Sequence, residues 1–434
     1  MARFASRDIV ELLDAFLRRN AALSEDDIQV RMSNLAEGRA QTPNSSSEAF
    51  RRAFVLPDAD VTRGPAPLAF PEDALAAADL PPRDVRKRLA HLTDYVAAQV
   101  EAGELPCIDL PDLHRANGIY DARGNVFLGH NIRPLALDRQ GGKAFMRVLL
   151  TLEMASDNLR NGVCTTKRGL YYYHQARLPD DVASQLDTDR ALAALANVLR
   201  VRRKALGFVE ARRGSVYGRL VIRDGGEVVD LAQVGPAGRS IPRFTDNVEI
   251  VSSDAEFILI VEKESIAFRL AQARWWDAAR CIIVCGSGFP SLSTREYVRR
   301  LVDTLGIPAL ICVDADPGGI QVALTYAHGS ISTALETPWL ACNNIWWVGL
   351  CPSDIDRHCQ SDHLIAFNET DFEAARGLLQ HPSDTYINNR VREELAILVD
   401  RGFKAELEAV SVDMSRFVDE YLPRKIFDCE LVKL

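Results

Sequence analysis

No apolar run in this 434-residue sequence reaches membrane-spanning length, and no charged-then-apolar leader stands at its start. We therefore expect a chain that is neither embedded nor secreted. Its nine cysteines show no paired ligand spacing, and Cys281, Cys285 and Cys312 lie in apolar runs where a small buried thiol is expected, so a disulfide framework is excluded and a reducing compartment is implied. Cys351, His358, Cys359 and His363 fit no common zinc spacing. No phosphate-cradling loop of Walker type and no internal repeat occurs. Positive charge is not in excess either: 51 Lys and Arg against 60 Asp and Glu leave a net charge of −9, which argues against general adhesion to polyanions unless charge is segregated. The remainder, 47% hydrophobic and 26% charged residues, is ordinary for a globular chain holding two or three domains.

What is present is more specific. Phe257 to Val261 and Ala309 to Val313 are short, nearly continuous apolar runs, the pattern of strands buried on both faces of a parallel sheet. Each ends in acids: Glu262 after the first, Asp314 and Asp316 after the second. Ligands gather at the carboxyl ends of such strands. Asp314 and Asp316 are two apart, so in extended backbone their side chains point the same way, and Pro317 biases Asp316 away from the helical region. Hard oxygen donors in small number suit magnesium rather than zinc. Gly286-Ser287-Gly288 lacks the third glycine of a dinucleotide fingerprint and reads as a strand-end turn.

This arrangement resembles the Toprim domain of topoisomerases and primases, with Glu262 as its acidic residue and Asp314-Ala315-Asp316 as its DxD. Val261-Glu262-Lys263-Glu264, Gly286-Ser287-Gly288-Phe289-Pro290 with Thr294-Arg295, Asp316-Pro317-Gly318-Gly319-Ile320 and Gly329-Ser330 narrow the resemblance to one subfamily. They follow the order of the DNA-cleaving A subunit of topoisomerase VI and its meiotic double-strand-break relatives. Upstream, Thr165-Thr166-Lys167-Arg168-Gly169-Leu170-Tyr171-Tyr172-Tyr173 is similar to that family's tyrosine motif, and matching residue by residue places the active tyrosine at Tyr172. On a helix Arg168 and Tyr172, four apart, share a face, while Tyr171 and Tyr173 swing roughly 100° to either side. A guanidinium there can hold a phosphodiester bidentately and favour the ionised form of a neighbouring phenol. His174 falls on the wrong side of such a helix to act as its base. Gly169 departs from the family, which carries Asp.

Along the chain, Ser6 to Arg19 reads as an amphipathic helix and Gln41 to Asp79 as a linker, so 1–83 forms an N-terminal segment available to a partner. Residues 84–250 read as helices followed by short strands, the last two joined by Asp224-Gly225-Gly226, a hairpin signal. Helices followed by a β-ribbon is the order of a winged helix. Arg200, Arg202, Arg203, Lys204, Arg212, Arg213, Arg219 and Arg223 are opposed in that stretch only by Glu210, which suggests a phosphate track. From 251 to 434 strands alternate with helices, so the expected fold class is α/β plus winged helix, the second domain having a mostly parallel sheet.

The resemblance covers roughly Lys143 to Ile426. It implies tyrosine transesterification on double-stranded DNA by Tyr172 with Arg168, magnesium at Glu262, Asp314 and Asp316, and a DNA contact from Phe289; Lys167 of the tyrosine motif and Arg202, Arg203, Arg212 and Arg213 of the basic stretch are further candidate DNA contacts. It further implies a homodimer, a nuclear home, and a partner that is a B-type ATPase or transducer-like subunit. Two roles remain open: programmed breaks that start meiotic recombination, or the cleaving half of a strand-passing topoisomerase. A non-cleaving DNA-binding paralogue and a phosphatase using Asp314 as nucleophile are the alternatives of other classes.

Overall fold

A computed structural model describes residues 68, 70–411, 416–427 and 430–434. The helix expected over Ser6 to Arg19 and most of the linker expected over Gln41 to Asp79 lie outside them. The described chain forms two compact units. The first comprises Asp73–Asn117 and Leu128–Ala211, the second Gly118–Phe127 and Arg212–Leu434 with the described residues before Asp73.

In the first unit, Val85, Leu89, Leu92 and Val96 recur at three- and four-residue spacing and fold Pro82–Glu101 into α1. Gly142–Asn161 (α2), Lys167–Arg177 (α3) and Gln185–Leu199 (α4) pack beside it around one core that includes Phe145, Leu149, Leu152, Leu170, Leu192 and Leu195. Two strand pairs complete the unit. Cys107–Pro111 (β1) runs antiparallel to Ile132–Ala136 (β2), and the two-residue strands Thr165–Thr166 (β3) and Phe208–Val209 (β4) pair in parallel. The end of the expected linker is packed rather than loose. Ala74, Leu75 and Ala77 are buried, and the Leu75 N–H donates to the Leu128 carbonyl at 2.7 Å.

The second unit is built on a seven-stranded sheet. Its strands, in chain order, are Ser215–Gly218 (β5), Arg239–Ser240 (β8), Phe257–Val261 (β10), Cys281–Cys285 (β11), Ala309–Cys312 (β12), Ile345–Gly349 (β13) and Val432–Lys433 (β14). The strand order is β8-β5-β11-β10-β12-β13-β14, with β11, β10, β12 and β13 mutually parallel and antiparallel strands at both margins. Every residue of β10, β11 and β12 is buried, as their uninterrupted apolar sequences require of strands covered on both faces. Glu264–Gln272 (α5), Leu292–Leu305 (α6) and Pro317–His328 (α7) follow β10, β11 and β12 in the expected alternation.

The two compact units divide at 211/212, whereas the sequence suggests a domain boundary at 250. Val221–Asp224 (β6) and Glu227–Asp230 (β7) do form the hairpin signalled by Asp224-Gly225-Gly226, joined by Val248–Ser252 (β9) in a three-stranded sheet, but they belong to the second unit, as does β5 in the large sheet. The helices and the ribbon thus fall in different compact units. Short strands carry no sequence mark of which sheet they will join.

Candidate functional site

Thr166 starts α3: its backbone is extended and its Oγ1 accepts the Gly169 N–H at 3.0 Å, a side-chain N-cap. The three tyrosines that follow differ in environment. Tyr173 is turned inward, its hydroxyl donating to Glu153 Oε2 at 2.7 Å, and burial together with Glu153 pushes its phenol far above the ordinary range. Tyr171 is partly covered and its hydroxyl accepts from Gln175 Nε2 at 3.0 Å. Tyr172 is 55% exposed. Arg168 lies on the same side of α3, its Cζ 4.6 Å from the Tyr171 ring centroid and 4.8 Å from that of Tyr172. The guanidinium is thus shared between two rings, because three- and four-residue spacings are both neighbours on a helix.

His174 is fully buried, its Nε2 3.1 Å from Thr151 Oγ1, and burial then Arg147 lowers its pKa to about 4. It is neutral and enclosed, so it is no base for Tyr172.

At Gly169 a Cβ would meet Thr165 Cγ2 at 2.8 Å and Thr166 Oγ1 at 3.3 Å. An Asp here would sit three residues after the N-cap, where a carboxylate can complete a capping box and interacts favourably with the helix start. Thr165 obstructs it, and Thr165 is itself fixed by donating to Asn158 Oδ1 at 2.9 Å. We predict that Gly169→Asp is close to neutral alone but stabilises by about 1 kcal/mol when Thr165→Ser removes the obstructing methyl and keeps the hydroxyl. A double-mutant cycle in denaturant measures the coupling.

The acids occupy the carboxyl edge of the large sheet. Glu262 leaves β10 and its Oε2 accepts the Asp314 N–H at 3.1 Å. Asp314 leaves β12, its Oδ1 accepting the Leu407 N–H at 2.8 Å and its Oδ2 lying 3.2 Å from Lys263 Nζ. Asp316 caps α7, its Oδ1 accepting the Gly319 N–H at 2.6 Å. Burial, then the charge of Asp314, pushes Glu262 up to about 7; burial pushes Asp314 up to about 6 despite the Leu407 N–H and Lys263. Burial alone would lower the pKa of the Lys263 ammonium, but Glu408, Asp314 and Glu406 raise it on balance, and it bonds all three at 2.7, 3.2 and 3.0 Å. Lys263 already stands where a cation offsets these acids. Among the described residues no three His, Cys, Asp or Glu side chains are drawn together closely enough to hold a metal ion by themselves. An open, all-oxygen donor set with excess negative charge fits a hydrated magnesium ion, which keeps most of its waters.

Two glycines make this edge possible. A Cβ at Gly319 would lie 2.3 Å from the Asp314 carbonyl oxygen, so α7 can approach β12 only with glycine there. Gly319→Ala is predicted to cost about 3 kcal/mol, measurable by thermal unfolding. Gly286, at the end of β11, would place a Cβ 2.8 Å from the Tyr326 hydroxyl. The turn that follows is tied to the acidic strand: Gly288 N–H donates to the Glu262 carbonyl at 2.8 Å, and Phe289 projects 53% exposed.

The expected basic track divides. Arg202 is 3% exposed and pairs with Asp79 at 3.8 Å, so it is no surface contact, and Lys167 is held by Glu210 at 2.5 Å. Arg219 and Arg223 are paired with Asp254 and Glu249. Arg203 is half-buried, whereas Arg212 and Arg213 are exposed. Lys263, Glu406 and Glu408 form a linked group that the sequence does not reveal: the lysine within Val261 to Glu264 is visible there, but nothing local links it to acids so far along the chain.

Comparison with known proteins places both compact units in one family. Residues 257–426 match the family described as the Toprim domain of the topoisomerase 6 A-subunit/Spo11 proteins, and residues 143–208 match Type IIB DNA topoisomerase. The chain is 33% identical over 369 residues to the meiotic recombination protein SPO11-2 of rice (Oryza sativa subsp. japonica), covering 81% of this chain and 94% of that one. It is 32% identical over 272 residues to the A subunit of DNA topoisomerase 6 from Arabidopsis thaliana, covering 62% of each. It is 28% identical over 358 residues to the A subunit of type 2 DNA topoisomerase 6 from Hyperthermus butylicus, covering 76% of this chain and 91% of that one. This chain, with its parallel-rich Toprim sheet, belongs to the family of Spo11 and the topoisomerase 6 A subunits.

Proposed function

We propose that this protein cuts both strands of duplex DNA by tyrosine transesterification, to initiate meiotic recombination. The observation that carries the reading is the difference among the three tyrosines: only Tyr172 is exposed, with the Arg168 guanidinium beside it. The similarity over 94% of a protein named for meiotic recombination supports the biological role.

In the proposed step the Tyr172 oxygen attacks a backbone phosphorus, forming an O–P bond as the bond from phosphorus to the 3′ oxygen breaks. That oxygen departs with the electron pair and takes up a proton, while the phenolic proton passes to solvent at the exposed hydroxyl. Arg168 holds the non-bridging oxygens and offsets their developing charge. Glu262, Asp314 and Asp316 would hold magnesium, which supplies Lewis-acid stabilisation of the departing oxygen. The phosphotyrosyl link conserves the bond energy, so the break is reversible.

We read the helices of the first unit as the helical part of a winged-helix, DNA-binding domain that presents α3 to the duplex. Cutting both strands calls for two tyrosines, hence a homodimer. No Walker-type loop occurs in the sequence, so ATP hydrolysis belongs to a B-type subunit; a nuclear location follows from the substrate. Recovery of covalent protein–DNA complexes tests the role. Adducts confined to meiotic cells, without relaxation of supercoiled plasmid when the chain is given ATP and its B-type partner, are expected. ATP-dependent relaxation would instead assign the strand-passing role.

A further inference from the structure

The register of the large sheet aligns Ser240 of β8, Ser215 of β5, Cys285 of β11, Val261 of β10 and Cys312 of β12 in one row. Everything that leaves this row on the carboxyl side shares one edge. Glu262 and Asp314 follow β10 and β12; the Gly286 to Phe289 turn follows β11. Arg212 and Arg213 lead into β5, and Arg243 and Phe244 lie just beyond β8.

At the β8 end of this edge is a cavity of about 560 Å³ whose lining includes Arg212, Arg239, Arg243, Phe244 and Asn247. Arg239 is held by Asp224 at 2.9 Å, which fixes its guanidinium in the wall. Arg212 and Arg243 are exposed, and Phe244 is 40% exposed beside them. The cavity thus has one neutralised arginine and two that face solvent. Its polar and aromatic lining is suited to phosphodiester oxygens with a sugar or base edge against the ring.

We propose that this cavity is a phosphate-binding subsite for the DNA backbone, formed by Arg212 and Arg243, on the flank of the cut. The proposal rests on the DNA-cleaving reading above. It adds a place: β8 lies three strands from β10, about 14 Å at the usual strand spacing, which corresponds to roughly four base steps from the acidic pair. The subsite positions DNA and reads no sequence, because it meets only the backbone.

The test uses the full chain and a fluorescent 30-base-pair duplex, with affinity measured across salt concentrations for wild type, Arg212→Gln/Arg243→Gln, Arg212→Lys/Arg243→Lys and Arg376→Gln. Arg376 is an exposed arginine on the helix Glu369–Leu379 and serves as the control for charge lost elsewhere on the surface. The glutamine pair is expected to lower the slope of log affinity against log salt by about 2, and the lysine pair and Arg376→Gln by less than about 0.5. Because the lysine pair keeps charge while altering the same positions, retained binding there excludes misfolding as the cause. A wild-type slope kept by the glutamine pair would overturn the subsite and leave the cleavage reading intact. No duplex binding by wild type would overturn both.

Discussion

Tyr172→Phe is expected to abolish cleavage of duplex DNA, a loss of at least about 10⁴-fold, because in the proposed step its hydroxyl forms the covalent bond. Tyr173 is partly buried and hydrogen-bonded to Glu153, and removing its hydroxyl should affect stability rather than cleavage. Tyr171 shares Arg168 with Tyr172, so Tyr171→Phe should keep most of the activity, since the ring that contacts the guanidinium remains. Arg168→Ala should cost about 10²- to 10³-fold with little change in affinity for DNA, the mark of a group whose contact strengthens as charge develops. Arg168→Lys should recover only part of it, since an ammonium cannot hold two oxygens in a planar fork. A gel assay for linear product, with binding measured separately, distinguishes these outcomes. Equal losses from Tyr171→Phe and Tyr172→Phe would mean that the pair acts as a unit.

Glu262→Ala and Asp314→Ala should each remove magnesium-dependent cleavage, by about 10³-fold or more. The same site predicts a reversal in how stability depends on pH. Glu262 and Asp314 titrate at about 7 and about 6 in the folded protein, above the ordinary carboxyl values of 4.5 and 3.8. Their folded forms therefore bind protons more tightly than the unfolded chain does, so the metal-free protein is most stable below about pH 4 as far as these two groups are concerned. That contribution is lost as pH rises through 6 to 7. Magnesium requires the ionised carboxylates and should offset the loss. Thermal unfolding should show a magnesium-dependent rise worth about 4 kcal/mol at pH 7.5 when the metal is a thousandfold above its Kd, and almost none at pH 5. Glu262→Gln should abolish the rise at pH 7.5. A magnesium effect that is the same at pH 5 and pH 7.5 would contradict the assignment of these acids as ligands.

Much of this is legible in the sequence because its signals are local. Fully buried strands announce themselves by uninterrupted apolar runs, and acids immediately after them can only stand at the sheet edge, which is why β10, β12, Glu262 and Asp314 fall where the sequence alone puts them. The tyrosine helix is legible for the same reason, Thr166 capping it and Arg168 lying one turn before Tyr172. Features that depend on tertiary partners are not legible. The run of arginines from 200 to 223 looks unopposed, yet Asp79, Glu249 and Asp254 reach it from outside the stretch and neutralise Arg202, Arg223 and Arg219. The ribbon after the helices joins a different unit because strand pairing is decided by packing against distant neighbours, which no local window of sequence contains. Lys263 reveals its role only when Glu406 and Glu408 arrive beside it.

Whether Tyr172 is the nucleophile is decided by digesting covalent protein–DNA complexes formed with magnesium and identifying the nucleotide-bearing peptide by mass spectrometry. The expected product is a 5′-phosphate ester on the hydroxyl of Tyr172 and on no other side chain. A nucleotide on Tyr171, or no adduct under conditions where the protein binds duplex DNA, would contradict that assignment.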